Sequence, residues 1–300
     1  MMTIQEEIRE LCRQKNAVIL AHYYQRPEIQ DVADIIGDSL ALAQQAQMTQ
    51  ADIIVMCGVH FMAETAAILC PTRKVLIPDA TAGCSLADSC QAADLKRWKE
   101  EHPEYKVVSY VNTSAAVKAL TDIVVTSSNA LKIVRRLPKE DKILFGPDQN
   151  LGRYIMEETG REMELWNGCC HVHSRFSAEK LQALRQQYPN APVLAHPECK
   201  KDILDQANVV GSTAALLNFV KGHAEYKQFI ICTEPGILYE MRKSCPDVEL
   251  IAEENRCEYM RQVTLEKLRD CLRDETPVVR VEPELAEKAV LPIKKMLEWS

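Results

Sequence analysis

Cys84, Cys170 and Cys257 stand 86 and 87 residues apart, and each closes a stretch of sequence built on one plan. No other feature constrains the fold of this 300-residue chain as tightly. Each stretch begins with an apolar run ending in polar groups: "AVILAHYYQ" (17–25), "KVVSYVNTS" (106–114) and "PVLAHPEC" (192–199). A short helical pattern and a second apolar run follow, then a small hydroxyl residue before a longer helical pattern. These are "DVADIIGDSLALA", "LTDIVVTSSNALKIV" and "DQANVVGSTAALL". The third runs are "DIIVMCGVHFMAE", "KILFGPDQNLG" and "QFIICTEPGILYEM"; the fourth are "KVLIPDATAGC", "EMELWNGCC" and "VELIAEENRC".

Short Val/Ile/Leu-rich runs alternating with helical patterns predict parallel strands covered by helices. A period of this length marks a repeated unit. The expected architecture is therefore α/β, with three pseudo-threefold-related αβα units whose parallel sheets surround a central active site. The period places the units at 1–85 (with an N-terminal helix), 86–172 and 173–260. Residues 261–300 form a C-terminal helical tail packed back on the body. Ligands in such sheets bind off the carboxyl ends of the strands, so three cysteines meet in one cavity.

Taken singly, each cysteine reads as a small core residue; the shared period and strand-end position outweigh that reading. Adjacent Cys169 and Cys170 compete for the middle position, and counting from the strand end favours neither. Three distant thiolates fit a [4Fe–4S] cluster with one iron free of protein ligands. An open iron is a Lewis acid suited to dehydration. The chain has no C-x₂-C pair, the usual mark of structural zinc. The alternative is a zinc-dependent lyase or dehydratase using the same three thiolates.

The polar strand ends supply the chemistry. His22 and Tyr24, Tyr110 and Asn112, and His196 and Glu198 share one i, i+2 offset, which puts each pair on one side of its chain. A His and a Tyr together relay protons or hold an oxyanion. Glu198, the one carboxylate among the six, is the natural general base. Ser39, Ser127 and the Ser212/Thr213 pair stand where helix N-caps belong, placing hydroxyls and helix N–H groups to bind carboxylates or phosphate. "NGCCHVH" adds His171 and His173, and "TEPG" adds Thr233 and Glu234.

Charge narrows the function classes. The net charge of −7 lacks the basic face that nucleic acid or a membrane surface requires. A non-enzymatic iron–sulfur sensor would usually carry a basic DNA-binding module, which is missing. The first twenty residues lack a signal-peptide plan, and no apolar run is long enough to span a bilayer. A cytoplasmic location is expected, where disulfides are rare. The twelve cysteines then favour metal, cluster or catalytic use.

The stretches "ILAHYYQRPEIQDVADIIGDSLALA", "YVNTSAAVKALTDIVVTSSNA", "FGPDQNLGRYI", "HVHSRFSAEKL", "HPEC", "VGSTAAL" and "CTEPGILYEM" resemble the quinolinate synthase (NadA) family. The likeness runs from about residue 4 to the tail "PIKKMLEW". It implies three αβα domains around a [4Fe–4S] cluster. The activity implied is that of a transferase in NAD (pyridine nucleotide) biosynthesis. Iminoaspartate and dihydroxyacetone phosphate condense to quinolinate, phosphate and water. A functional link to an aspartate-oxidising enzyme follows from the first substrate.

The resemblance implies Cys84, Cys170 and Cys257 as cluster ligands, with Cys169 in a variable position. It implies His22, Tyr24, Ser39, Tyr110, Asn112, Ser127, His173, His196, Glu198, Ser212 and Thr213 as substrate-binding or catalytic residues. His171 departs from the commonest form of the middle motif. The C-terminal cysteine pair of some longer members is missing from this sequence.

Overall fold

In a computed structural model, which describes residues 2–223 and 225–300, the apolar runs form parallel strands. The first sheet contains β1 (Ala17–His22), β2 (Ile35–Gly37), β3 (Ile53–Cys57) and β4 (Lys74–Leu76). The second contains β5 (Tyr105–Tyr110), β6 (Ile123–Val125), β7 (Lys142–Gly146) and β8 (Glu164–Leu165). The third contains β9 (Val193–Ala195), β10 (Val209–Val210), β11 (Gln228–Cys232) and β12 (Glu249–Ala252). Each sheet runs in the order second, first, third, fourth. A short antiparallel strand, β13 (Val278–Val279), extends the first sheet beside β4.

This order leaves the first strand by opposite sides, toward the second and toward the third. The switch opens a crevice off the carboxyl ends of the first and third strands. His22 and Tyr24, Tyr110 and Asn112, and His196 and Glu198 stand at or just past the ends of the three first strands, at this crevice.

One clamp recurs in all three units. Asp34, Asp122 and Asn208, just before the second strands, accept the N–H of Ile19, Val107 and Val193 at 2.7, 2.8 and 2.8 Å. Each returns its own N–H to the carbonyl of the same residue, at 3.0, 2.9 and 2.8 Å. The edge of the first strand is thereby tied to the returning chain.

Strand alternation divides the core. Ile19 and Ala21 pack outward with Ile8, Leu268 and Leu272 from the helices Ile4–Gln14 and Leu265–Asp274. Leu20 faces the other way, into a core that also holds Phe145 of the second sheet and Phe229 of the third. The helix Pro283–Trp299 buries Ala289, Ile293 and Met296 in that same core. Among the described residues, no helix is long and apolar enough to cross a membrane.

Candidate active site

The strand-end loops of the three sheets line one cavity. His22, Tyr24, Ser39 and Cys84 come from the first unit, and Tyr110, Asn112, Ser127 and Cys170 from the second. His173, His196, Glu198, Thr213 and Cys257 come from the third. Ser212 does not line it, and Cys169 is exposed outside it.

The hydroxyl residues do not all cap helices as expected. Asp38 caps the helix Ser39–Met48 by accepting the Ala41 N–H at 2.9 Å. Ser39 is the first helical residue, and its hydroxyl is left to the cavity. The helix Ala130–Arg136 begins after Asn129, whose side chain turns back to the Thr126 N–H at 2.7 Å, so Ser127 lies outside it. Of Ser39, Ser127 and Ser212, only Ser212 is an N-cap, accepting the Ala215 N–H at 3.2 Å.

Glu198 is the centre of the polar network. Its Oε2 lies 2.9 Å from His173 Nδ1 and 3.3 Å from His196 Nδ1. His196 Nε2 reaches Ser127 Oγ at 3.2 Å. On the other side, His173 Nε2 meets Thr233 Oγ1 at 2.9 Å, and Thr233 meets the Tyr24 hydroxyl at 2.7 Å. Tyr24 continues to Thr213 at 3.0 Å. A continuous run of polar contacts of 3.3 Å or less therefore leads from Ser127 to Thr213 through all three sheets' loops. Glu198 Oε1 is buried and makes no hydrogen bond among the described residues, an acceptor with unused capacity.

Burial sets the protonation states. It pushes the Glu198 carboxyl up, but attraction and hydrogen bonds from His173 and His196 outweigh it and leave the group below its ordinary value. Burial lowers His22 to about 4, against the opposing pull of Asp38, and also lowers His196. Both rings are then neutral near pH 7. Burial, with Glu198 nearby, holds the Tyr24 and Tyr110 phenols well above 10, so each remains a proton donor.

Each cavity cysteine opens one turn of helix. The Asp88, Ser174 and Arg261 N–H groups return to the carbonyls of Cys84, Cys170 and Cys257 at 2.9, 3.0 and 3.2 Å. Backbone N–H groups of Leu86 and Ala87, of His173, and of Tyr259 and Met260 turn toward the respective sulfurs. Such groups favour thiolate. Burial still dominates, raising Cys84 to about 12, Cys257 to about 11 and Cys170 well above 9. A soft metal centre displaces those protons.

Two buried carboxyls, unremarked or barely weighed in the sequence, hold the cysteine loops. Asp148 caps the helix Gln149–Thr159 through the Leu151 N–H (2.8 Å) and accepts the Cys170 N–H at 2.9 Å. Glu234 accepts the Gly236 N–H (2.6 Å) and the Cys257 N–H (3.2 Å). They are 86 residues apart, each just past a third strand, so the period itself was the signal. Val59 occupies the corresponding place in the first unit. A Cβ at Gly168 would run into Ser89 Oγ and the Pro147 carbonyl, which explains the Gly of "NGCC". A Cβ at Gly236 would lie 2.7 Å from the Tyr24 backbone, which explains the Gly of "TEPG".

Lys118 was also missed. It is fully buried, and its ammonium donates to the Val111 carbonyl at 2.8 Å and to the Thr113 carbonyl, bracketing Asn112. Burial lowers it to about 8.

Cys170, His173 and Glu198 bring one ligand atom each within 4.8 Å of one another, a group compatible with a metal. A family model, described as "NadA: Quinolinate synthetase A protein", matches residues 6–298. The chain is similar to a quinolinate synthase of Microcystis aeruginosa, 53% identical over 300 residues, covering 98% of this chain and 94% of that protein. It is 52% identical over 300 residues to a quinolinate synthase of Synechocystis sp., with the same coverage. To that of Chloroherpeton thalassium it is 50% identical over 303 residues, again covering 98% and 94%.

Proposed function

The chain belongs to the NadA family of quinolinate synthases, and on that premise we propose that it condenses iminoaspartate with dihydroxyacetone phosphate to quinolinate, phosphate and water. The proposal includes a [4Fe–4S] cluster held by Cys84, Cys170 and Cys257, one from each of three units about a pseudo-threefold axis. The observation that carries it is the meeting of these cysteines with the Ser127–His196–Glu198–His173 network in one cavity.

The donor set fits a cluster better than one ion. A single tetrahedral zinc with Zn–S bonds of 2.3 Å would need its sulfurs about 3.8 Å apart. Among the described residues, the three cavity sulfurs do not form a group within 4.8 Å of one another. The Cys170–His173–Glu198 group suits an ion poorly as it stands. Its contacts of 3.3 Å and 2.9 Å converge on the single nitrogen His173 Nδ1, a hydrogen-bonding centre. Bound, the cluster supplies an iron without a protein ligand, a Lewis acid for a substrate hydroxyl or carboxylate and an aid to loss of water.

The chain's own groups do the rest. Ser39, Ser127, Asn112 and Thr213 hold the carboxylate and phosphate ends. The phenols of Tyr24 and Tyr110, with neutral His22, donate to or orient the oxygen that becomes negative as the triose enolises. Glu198 Oε1 takes the proton from carbon, because it is ionised, buried and unpartnered. The proton leaves by either arm of the network, through His196 to Ser127 or through His173 and Thr233 to Tyr24. The test is anaerobic incubation of the cluster-loaded protein with both substrates. Quinolinate and phosphate should form in equal amounts; consumption of neither substrate would reject the proposal.

A further inference from the structure

The residue directly after each cavity cysteine is Ser85, His171 or Glu258, and these three are joined. Ser85 Oγ lies 2.6 Å from His171 Nδ1, and His171 Nε2 lies 2.9 Å from Glu258 Oε2. A carboxylate can only accept, so Nε2 carries the proton and, in the neutral ring, the Ser85 hydroxyl donates to Nδ1. Arg175 anchors the far end, with its guanidinium 2.9 Å from Glu258 Oε1. Tyr259 stands edge-on to the His171 ring at 5.7 Å.

Ser85, His171 and Tyr259 line the cavity. The His171 side chain is 25% exposed and that of Glu258 63%, so the chain of contacts lies at the rim, between solvent and the sulfurs. None of it belongs to the network around Glu198. It joins turns that arise from three different sheets, and the internal bond of each turn fixes only that turn. Asp148 and Glu234 tie two of the turns to their own units, and Trp166 Nε1 joins the first two loops at the Ser89 carbonyl; among the contacts of the described residues, the Ser85–His171–Glu258 chain touches all three turns.

We propose that His171 is a positioning residue that latches the three cysteine loops together and sets how readily the sulfur sites open to solvent. The inference rests on the reading that these cysteines hold the cluster. The two bonds are of the ordinary neutral and charge-assisted kinds, so losing them should speed opening roughly five- to thirtyfold.

Two measurements on the purified full-length protein test it. The first is release of iron to a chelator, followed anaerobically. His171→Ala should accelerate it by that factor, Glu258→Gln and Ser85→Ala by less, and Ser85→Thr, which keeps the hydroxyl, not at all. The second is amide hydrogen exchange of the segments 84–88, 170–175 and 257–262. His171→Ala should speed exchange in all three, although two of them are remote in sequence. Faster exchange confined to 170–175, or none, overturns the latch. Should His171→Ala fold poorly, Ser85→Ala, which cuts the first loop from His171, must speed exchange in 84–88 and in the remote segment 170–175, and its failure in 170–175 overturns the latch equally. Exchange is followed in the protein before iron and sulfide are added, so it is read without any cluster. A protein that takes up neither iron nor sulfide refutes the cluster reading, while the exchange data still decide the latch.

Discussion

His22 gives the most quantitative handle on the site. The ring is buried, 5% exposed, accepts the Tyr24 N–H at 3.1 Å on Nδ1, and stands edge-on to the Tyr24 ring at 4.6 Å. Burial lowers its proton affinity from 6.5 to about 4. Between these values the unfolded chain binds a proton that the folded chain refuses. Stability linked to His22 is therefore fully present above pH 6.5 and is lost as the pH falls toward 4. At 1.36 kcal/mol per pH unit the loss amounts to ~3 kcal/mol. Glu234, raised by burial to about 7, works in the opposite sense, losing stability as the pH rises through the same range. It is common to wild type and variant, so it cancels in their difference. His22→Gln keeps a polar acceptor and removes the titration. Urea unfolding of both chains at intervals from pH 7 to pH 4 should show the stability difference shifting by ~3 kcal/mol in favour of the variant at the acid end. A difference constant across that range would refute the burial argument for His22.

Three further outcomes are expected. Cys84→Ala, Cys170→Ala and Cys257→Ala should each lose most visible absorbance near 400 nm, the order expected for iron–sulfur charge transfer; Cys169→Ala should retain it, and equal loss from the 169 and 170 variants would remove the assigned register. Glu198→Gln should lower turnover by about 10²–10⁴-fold while iron content stays normal; an unchanged rate would move the base to His196 or His173. Lys118→Met leaves the Val111 and Thr113 carbonyls without their ammonium and should cost about 2–4 kcal/mol in calorimetry, with KM rising as the Asn112 loop loosens; a variant as stable as wild type would show that the charge contributes nothing net.

The strands were legible because their side chains alternate or run apolar between turn signals, and the cavity because polar groups recur at one offset after each first strand. Asp148 went unremarked and Glu234 was named without a role, because a carboxyl next to a predicted helix start reads as an ordinary cap. Their second oxygens, on the N–H groups of Cys170 and Cys257, depend on contacts 22 and 23 residues away. Ser39 was taken for a cap because Ser and Asp are equally good ones; only the backbone distinguishes Asp38 from its neighbour. Lys118 sits in "AAVKALTD", which carries no sign that its ammonium turns inward to carbonyls. Counting along the strand could not separate Cys169 from Cys170; the turn puts Cys170 in the cavity and leaves Cys169 exposed.

The claim on which the rest depends is that three cysteines from three sheets hold one iron–sulfur cluster. Iron, acid-labile sulfide and zinc should be counted per chain after anaerobic reconstitution. The account predicts about four irons and four sulfides and no zinc. One zinc per chain without sulfide, in a protein that nonetheless makes quinolinate, would contradict it.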